Sequence, residues 1–340
     1  MNVADFAAFN FSRATGAGLD PHEYLRRTAA LREPATGRRR SGGPARSTWT
    51  GPRRRTAPVT SGEYHQLAAR WFTPPPCCRS PAGPGRRRPR PAPTRRWAAR
   101  SRLLEPDARR ITGPDFAGWL RDPADPADPA MTVVIIPGLD SSKEEFHAVA
   151  AALLRRGAAV FAMDGPGQGV LAATTRVRSD YHQVMRRVLD RLGADRVGLV
   201  GLSLGGYHAA ETAAHEPRVA ATVTVSGPFR LDWAAMPPFF HDLLTQRAGG
   251  TDAARRFADQ LDLTGLAARI TTPLLVVDGG QDVIPGVTNG ESLARLATRG
   301  EYRCIEHADH LLGNAQPDWL PPAADWLLDH LTTPAGRTSA

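Results

Sequence analysis

A chain of 340 residues can hold one large domain or two ordinary ones. Only three cysteines occur, and Cys77 and Cys78 are neighbours, so a disulfide framework is excluded and a reducing compartment is expected. The formal net charge of +9 would suggest an anionic partner. However, residues 36–102 carry 17 Arg and one acid, Glu63, a local balance of +16 that leaves −7 for everything else. Nucleic-acid binding is therefore not expected of the rest of the chain. No run approaches the ~20 apolar residues that cross a bilayer, and Met1 to Gly18 lacks the basic start and apolar stretch of a secretory signal. The expectation is a soluble, cytoplasmic protein without a membrane partner.

In chain order, the first distinctive segment is 36–102, with Arg38-Arg39-Arg40, Arg53-Arg54-Arg55, Pro74-Pro75-Pro76 and Arg86-Arg87-Arg88 and almost no apolar periodicity. Such a stretch cannot bury enough surface to offset chain entropy and is expected to be disordered. The chain uses Lys once, at Lys143, against 42 Arg, as a very GC-rich gene would dictate. Out-of-frame reading of such DNA yields mostly Arg, Pro, Ala and Gly, so a frame-disrupted segment stands beside a genuine basic linker as a reading of 36–102.

From about Glu105 the pattern changes to alternating strands and helices, and one catalytic domain is expected over 103–332, followed by a disordered tail at 333–340. Short β-rich runs lie at Thr132 to Ile136, Ala158 to Ala162, Arg196 to Val200, Ala220 to Val225, Pro273 to Asp278 and Tyr302 to Ile305. Phe146, Val149, Ala150, Leu153 and Leu154 fall on one face of a 3.6-residue period, as do Tyr181, Val184, Met185, Val188 and Leu192 before Gly193. This alternation predicts an α/β fold, with a mostly parallel sheet and helices on both faces. The alternation breaks at about 228–272, where Trp233, Phe239 and Phe240 precede a helical stretch predicted over Ala253 to Ile270. Placed after a strand's C-terminal end, that insertion is assigned to a cap over the ligand crevice.

Gly201-Leu202-Ser203-Leu204-Gly205-Gly206 follows an apolar run and precedes a helical pattern. A sharp strand-to-helix turn needs small residues two before and two after the serine, and it exposes the hydroxyl near a helix N-terminus. Found alone, the pentad is often an ordinary tight turn; its strand–turn–helix context makes Ser203 the candidate nucleophile. A serine needs a base and an orienting carboxylate. Asp282, in the Gly-rich turn after the run Leu274 to Val277, is preferred to Asp278, which reads as a loop-capping residue at the strand's end. His310 is preferred to His307 as the base because it stands further into the last loop, with Asp309 read as a solvated acid. His147, His182, His208, His215 and His241 fall in helical stretches and read as surface or cap residues. The N–H groups of Leu204 and Leu139 are the candidate oxyanion donors. Asp140 has two readings, a cap for a helix starting near Ser141 to Glu145 or an acid that enters the pocket.

Pro137 to Glu145 (P-G-L-D-S-S-K-E-E), Asp164-Gly165-Pro166-Gly167-Gln168-Gly169 and Gly201 to Tyr207 together resemble one branch of the α/β-hydrolases, the 2,6-dihydroxypseudooxynicotine hydrolase group and its FrsA-like esterase relatives, over roughly Asp107 to Leu331. The resemblance implies an α/β-hydrolase fold and a Ser-Asp-His triad without metal or organic cofactor. It implies cleavage of a small-molecule carbonyl substrate, either at a carbon–carbon bond next to a ketone or at an ester. It also places the branch's pocket acid on Asp140. The branch carries an N-terminal helical cap, of which residues 1–35 and Glu63 to Phe72 look like remnants, and Val170 departs from the glutamate that relatives carry. A homodimer is compatible with these features. Three other readings stand beside hydrolysis: a catalytically impaired protein with a broken cap, an acyltransferase on the same triad, and an Arg-rich nucleic-acid binder. Dehalogenase and epoxide-hydrolase chemistry would need Asp at position 203.

Overall fold

The computed structural model describes residues 7–8, 10–29, 107–127 and 131–332. It divides into two compact units, Met1–Ala108 and Arg109–Ala340. Most of the first unit lies outside the described residues, including 36–102 and Glu63 to Phe72, as does the tail 333–340. Within the first unit, helices α1 (Phe11–Gly16) and α2 (Pro21–Thr28) are described. Asp20 caps α2 by accepting a hydrogen bond from Glu23 N at 2.7 Å, and Pro21 occupies the first helical position, where its missing N–H costs nothing. Tyr24 anchors the pair through an edge-on contact with Phe11 and a hydroxyl bond to Ala7 O at 2.9 Å.

The second unit is built on an eight-stranded sheet. Its strands are β1 (Arg109–Thr112), β2 (Ala117–Arg121), β3 (Met131–Ile136), β4 (Ala158–Asp164), β5 (Val197–Leu202), β6 (Val219–Val225), β8 (Leu274–Gly279) and β10 (Gly300–Ile305), in spatial order β1-β2-β4-β3-β5-β6-β8-β10. The first two pairings, β1 with β2 and β2 with β4, are antiparallel; the others are parallel. The six predicted runs coincide with β3, β4, β5, β6, β8 and β10. The β1–β2 hairpin was not anticipated, because Arg109-Arg110-Ile111-Thr112 presents mostly exposed polar side chains and carries no apolar alternation. Two short strands, β7 (Arg230–Leu231) and β9 (Val287–Thr288), form a separate antiparallel pair.

Helices cover both faces. On one side α3 (His147–Leu154) and α9 (Gln316–Thr332) pack Val149, Leu153, Trp319 and Leu327 against the side chains of Val133, Ile135, Val223 and Leu275. On the other, α4 (Tyr181–Leu192) and α5 (Leu204–Ala213) close over Val134, Ile136, Phe161 and Leu199. The central strands are buried on both faces, which explains why they read as continuous apolar runs rather than alternating ones. Helix α4 stops where Gly193 takes φ 64°, ψ 35° and its N–H returns to the last turn.

The interval 228–272 contains α6 (Pro238–Ala248) and α7 (Thr251–Gln260). The predicted helix over Ala253 to Ile270 is thus shorter. Leu261 leaves the helical region and Asp262 bridges back to Arg230, so the apolar residues Leu263, Ala267 and Ile270 are buried from a turn-rich segment instead. Leu243, Leu244 and Phe257 of the insertion share a buried cluster with Leu139, Leu204 and Tyr207, and the Tyr207 hydroxyl donates to Gln260 O at 3.0 Å. The last helix of the unit, α8 (Glu291–Leu296), lies between β8 and β10 in the chain.

Candidate active site

The C-terminal ends of the parallel strands carry the candidate residues. Ser203 stands between β5 and α5 with φ 54°, ψ −129°, a backbone conformation that L-residues rarely adopt. Its N–H donates to Val225 O at 2.8 Å and its carbonyl accepts from Gly206 N at 2.7 Å, so the turn is tied to the sheet before it and the helix after it. The flanking glycines are demanded by space. A Cβ on Gly201 would sit 2.1 Å from Gly205 O, and one on Gly205 would sit 2.2 Å from Ile136 O.

Two loops meet over this turn. The loop after β8 brings Asp282, and the loop after β10 brings His310. They are laced together by Gly280 N to Ile305 O and Gln281 N to Ala308 O, each 2.9 Å, and by the Gln281 side chain to Glu306 O at 3.1 Å. His310 Nδ1 lies 2.9 and 3.0 Å from the two carboxylate oxygens of Asp282, and its Nε2 lies 3.0 Å from Ser203 Oγ. Asp282 retains 11 % of its side-chain exposure and His310 retains 29 %, so the site is lined by protein yet open on one side. Beyond the imidazole the chain takes two consecutive left-handed residues, Leu311 (φ 67°) and Leu312 (φ 50°). Leu311 N is held by Ser226 Oγ at 2.9 Å, and Ser226 is itself left-handed at φ 51°.

The competing residues are placed elsewhere. His307 is exposed and pairs with Asp318 at 3.2 Å. Asp278 is buried at the end of β8, where its Oδ2 accepts from Gly290 N at 2.9 Å. Burial, opposed by that hydrogen bond and reinforced by the charge of Asp282, pushes its carboxyl up to about 6. His208 is buried rather than superficial, stacked on Tyr181 at 4.1 Å, and burial lowers it to about 3.

The loop after β3 passes close to the serine, since a Cβ on Gly138 would lie 3.0 Å from Ser203 Cβ. Its geometry is fixed by residues that sequence reasoning quoted but gave no role. Gln168 is buried and donates from Nε2 to Pro137 O at 2.6 Å and to Gly138 O at 3.2 Å, while its Oε1 accepts from Gly165 N at 2.9 Å and Tyr181 Oη at 3.1 Å. In a trans peptide the carbonyl and the next N–H point oppositely. Holding Gly138 O toward Gln168 therefore aims the Leu139 N–H away from it. Below this, the buried Lys143 Nζ lies 2.5 Å from Asp164 and 2.9 Å from Glu144, and Asp164 also accepts from Lys143 N at 2.7 Å and Val170 N at 3.0 Å. Burial acts to lower the ammonium's pKa, but the attraction and hydrogen bonds of Asp164 and Glu144 outweigh it and leave it raised. The chain's one lysine thus cross-links the segments 137–145 and 164–170. Helix α3 begins only at His147, with Phe146 at its N-cap, so Asp140 is not that helix's cap; it is half-buried.

Residues 132–256 match the family model described as the alpha/beta hydrolase fold. The chain is 29% identical over 254 residues to 2,6-dihydropseudooxynicotine hydrolase of Paenarthrobacter nicotinovorans, covering 70% of this chain and 68% of that protein. Hydrolase LUC6 of a Fusarium species is 40% identical over 124 residues, covering 32% of this chain and 29% of the relative. Among solved structures, 2,6-dihydroxy-pseudo-oxynicotine hydrolase superposes with a TM-score of 0.76 at 24% identity, covering 97% of this chain and 98% of that one. AbyA5 superposes at 0.59 with 19% identity, covering 81% and 87%. With the strand order, the strand–turn–helix at Ser203 and these likenesses together, the chain has the α/β-hydrolase fold and is similar to 2,6-dihydroxypseudooxynicotine hydrolase.

Proposed function

We propose that the protein is a serine hydrolase in which Ser203 attacks the carbonyl of a small organic substrate, His310 carries the proton and Asp282 steadies the imidazole. The single observation supporting this reading is the continuous chain from Ser203 Oγ through His310 to Asp282, with every link at 3.0 Å or less. The carboxylate takes the Nδ1 proton as a hydrogen bond, which leaves Nε2 as the acceptor facing the hydroxyl. The imidazole removes the hydroxyl proton as the Oγ–carbon bond forms, and Asp282 stabilises the resulting imidazolium. Leu204 is the first residue of α5, and the first N–H groups of a helix have no intrahelical acceptor. That N–H and the Leu139 N–H receive the negative oxygen of the tetrahedral intermediate.

Collapse of the intermediate expels the leaving group with the proton that His310 holds, leaving an acyl group on Ser203. Water then repeats the sequence and frees the acid. A carbon leaving group departs as an enol or enolate, so a ketone beside the scissile bond is what makes carbon–carbon cleavage accessible. The same residues cleave an ester. The activities named for the relatives support hydrolysis of a carbonyl compound. Asp140, on the donor loop, is the residue proposed to contact the substrate's polar substituents.

The test is labelling with a fluorophosphonate probe. Wild type is expected to be labelled, and Ser203→Ala and His310→Ala are not. Labelling that survives in Ser203→Ala overturns the assignment, and an unlabelled wild type would favour an inactive fold member. A panel of aryl ketones and short-chain esters separates the two bond types.

A further inference from the structure

Helices α4 and α5 meet at a second cluster of chemistry-bearing side chains that plays no part in acyl transfer. His182 is the second residue of α4, Glu211 lies in the last turn of α5, and His215 follows two residues after that helix ends. Their ligand atoms all lie within 4.8 Å of one another, and among the described residues this is the group of three or more such side chains that could enclose a metal ion. Glu211 lies eight positions along α5 from Ser203, about 12 Å along the helix axis, so the cluster is remote from the proposed triad.

The environment of Glu211 argues for a cation. Its side chain is only 4 % exposed. It accepts from the His182 backbone N–H at 2.8 Å, contacts His182 Nδ1 directly, and has His215 Nδ1 at 3.5 Å. Its hydrogen-bonded and ion-paired side-chain partners are the two imidazoles. Arg178 also acts on Glu211 through its charge, but that side chain is engaged by both oxygens of Asp180 at 2.6 and 2.7 Å. The two imidazoles stack at 4.4 Å with 23° between their planes, an arrangement that two imidazolium cations would oppose. A buried carboxylate beside two imidazoles is the donor set that borderline divalent ions prefer. The histidines retain 20 % and 22 % of their side-chain exposure, which leaves a path for an ion and room for water in the remaining position.

We propose that His182, Glu211 and His215 form a structural site for a divalent transition-metal ion of the Zn²⁺ type, clipping the start of α4 to the end of α5. On binding, the ion replaces the proton shared between His182 Nδ1 and Glu211, and that proton passes to solvent.

The experiment uses the full chain, treated with a chelator and dialysed, then titrated with Zn²⁺ against a chromophoric competitor and followed by thermal unfolding. Wild type is expected to bind one Zn²⁺ per chain and to unfold at a higher temperature with the metal than without. His215→Ala, which alters a partly exposed residue outside the helix, is expected to weaken binding at least tenfold and to abolish the thermal shift. Equal affinity in wild type and His215→Ala, or no metal-dependent shift in wild type, overturns the proposal. Co²⁺ substitution of wild type provides a readout that does not depend on the variant's folding: visible d–d absorption that Zn²⁺ displaces supports the site, and its absence overturns it. Fluorophosphonate labelling is unaffected by either result.

Discussion

The rim where the parallel strands end and the interior of the same sheet obey different rules. Among the described residues, the four non-glycine positions with left-handed backbone, Ser203, Ser226, Leu311 and Leu312, all belong to the rim where Ser203 and His310 meet. Each such conformation costs of order 1–3 kcal/mol. The interior shows none of this, and its strands are regular ladders filled with Val, Ile, Leu and Ala. Strain is concentrated where side chains must meet at one point, and the relaxed, fully packed interior offsets it. A second contrast lies within the rim itself. Asp282 and His310 come from loops laced to each other, whereas the candidate oxyanion loop is fixed from behind by Gln168 and the Lys143 cluster.

The contrast can be broken at several points. The largest effect is expected from Asp282→Asn, which preserves shape but no longer selects the imidazole tautomer; kcat should fall roughly 10⁴-fold, measured on whichever ester or ketone the panel identifies, with the folded structure unchanged by circular dichroism. Lys143→Met leaves Asp164 and Glu144 buried without their cation, and a loss of about 3–5 kcal/mol is expected in urea unfolding. A loss below ~1 kcal/mol would show that the cluster is not a cross-link. Gln168→Met keeps the volume but releases the Pro137 and Gly138 carbonyls, so kcat should drop roughly 100-fold or more while KM stays nearly constant. A change confined to KM would detach Gln168 from the oxyanion loop.

The smallest effect concerns Asp278. Its carboxyl is raised to about 6 in the folded chain, chiefly by burial, above the ordinary value of 3.8. A group raised on folding favours the folded state while protonated, so its contribution is full below the unfolded value and is lost as pH climbs through about 6. Removing the charge in Asp278→Asn should therefore flatten the stability profile between pH 4 and 7 by up to about 3 kcal/mol relative to wild type. Parallel profiles for the two proteins would show that Asp278 does not ionise in that window.

Much of this architecture could be read from the residues. The central strands were legible because burial on both faces leaves unbroken apolar runs, and Ser203 was legible because the sterics of Gly201 and Gly205 leave no alternative at those positions. Asp282 and His310 were placed by chain order and loop position, and the structure brings them within hydrogen-bonding distance of one another and His310 within that distance of Ser203. The β1–β2 hairpin was invisible because its outer strand presents polar side chains. The roles of Gln168 and Lys143 were hidden, since a buried polar network leaves no periodic trace; its one signal was a lone lysine in a chain that otherwise uses arginine. Glu211 and the two histidines gave no warning either, because His182 sits some 30 positions before its partners and only the meeting of two helices unites them.

Ser203 and His310 are anchored in regions of unequal firmness. Ser203 is a rung between a central strand and a buried helix, bonded to Val225 on one side and Gly206 on the other. His310 rides on a loop tied to the Asp282 loop and to the Ser226 hydroxyl rather than to a ladder, and is followed by two unfavourable torsions. Those ties should open well before the sheet dissolves. Catalytic competence is then expected to vanish at a denaturant concentration where far-ultraviolet ellipticity is still intact.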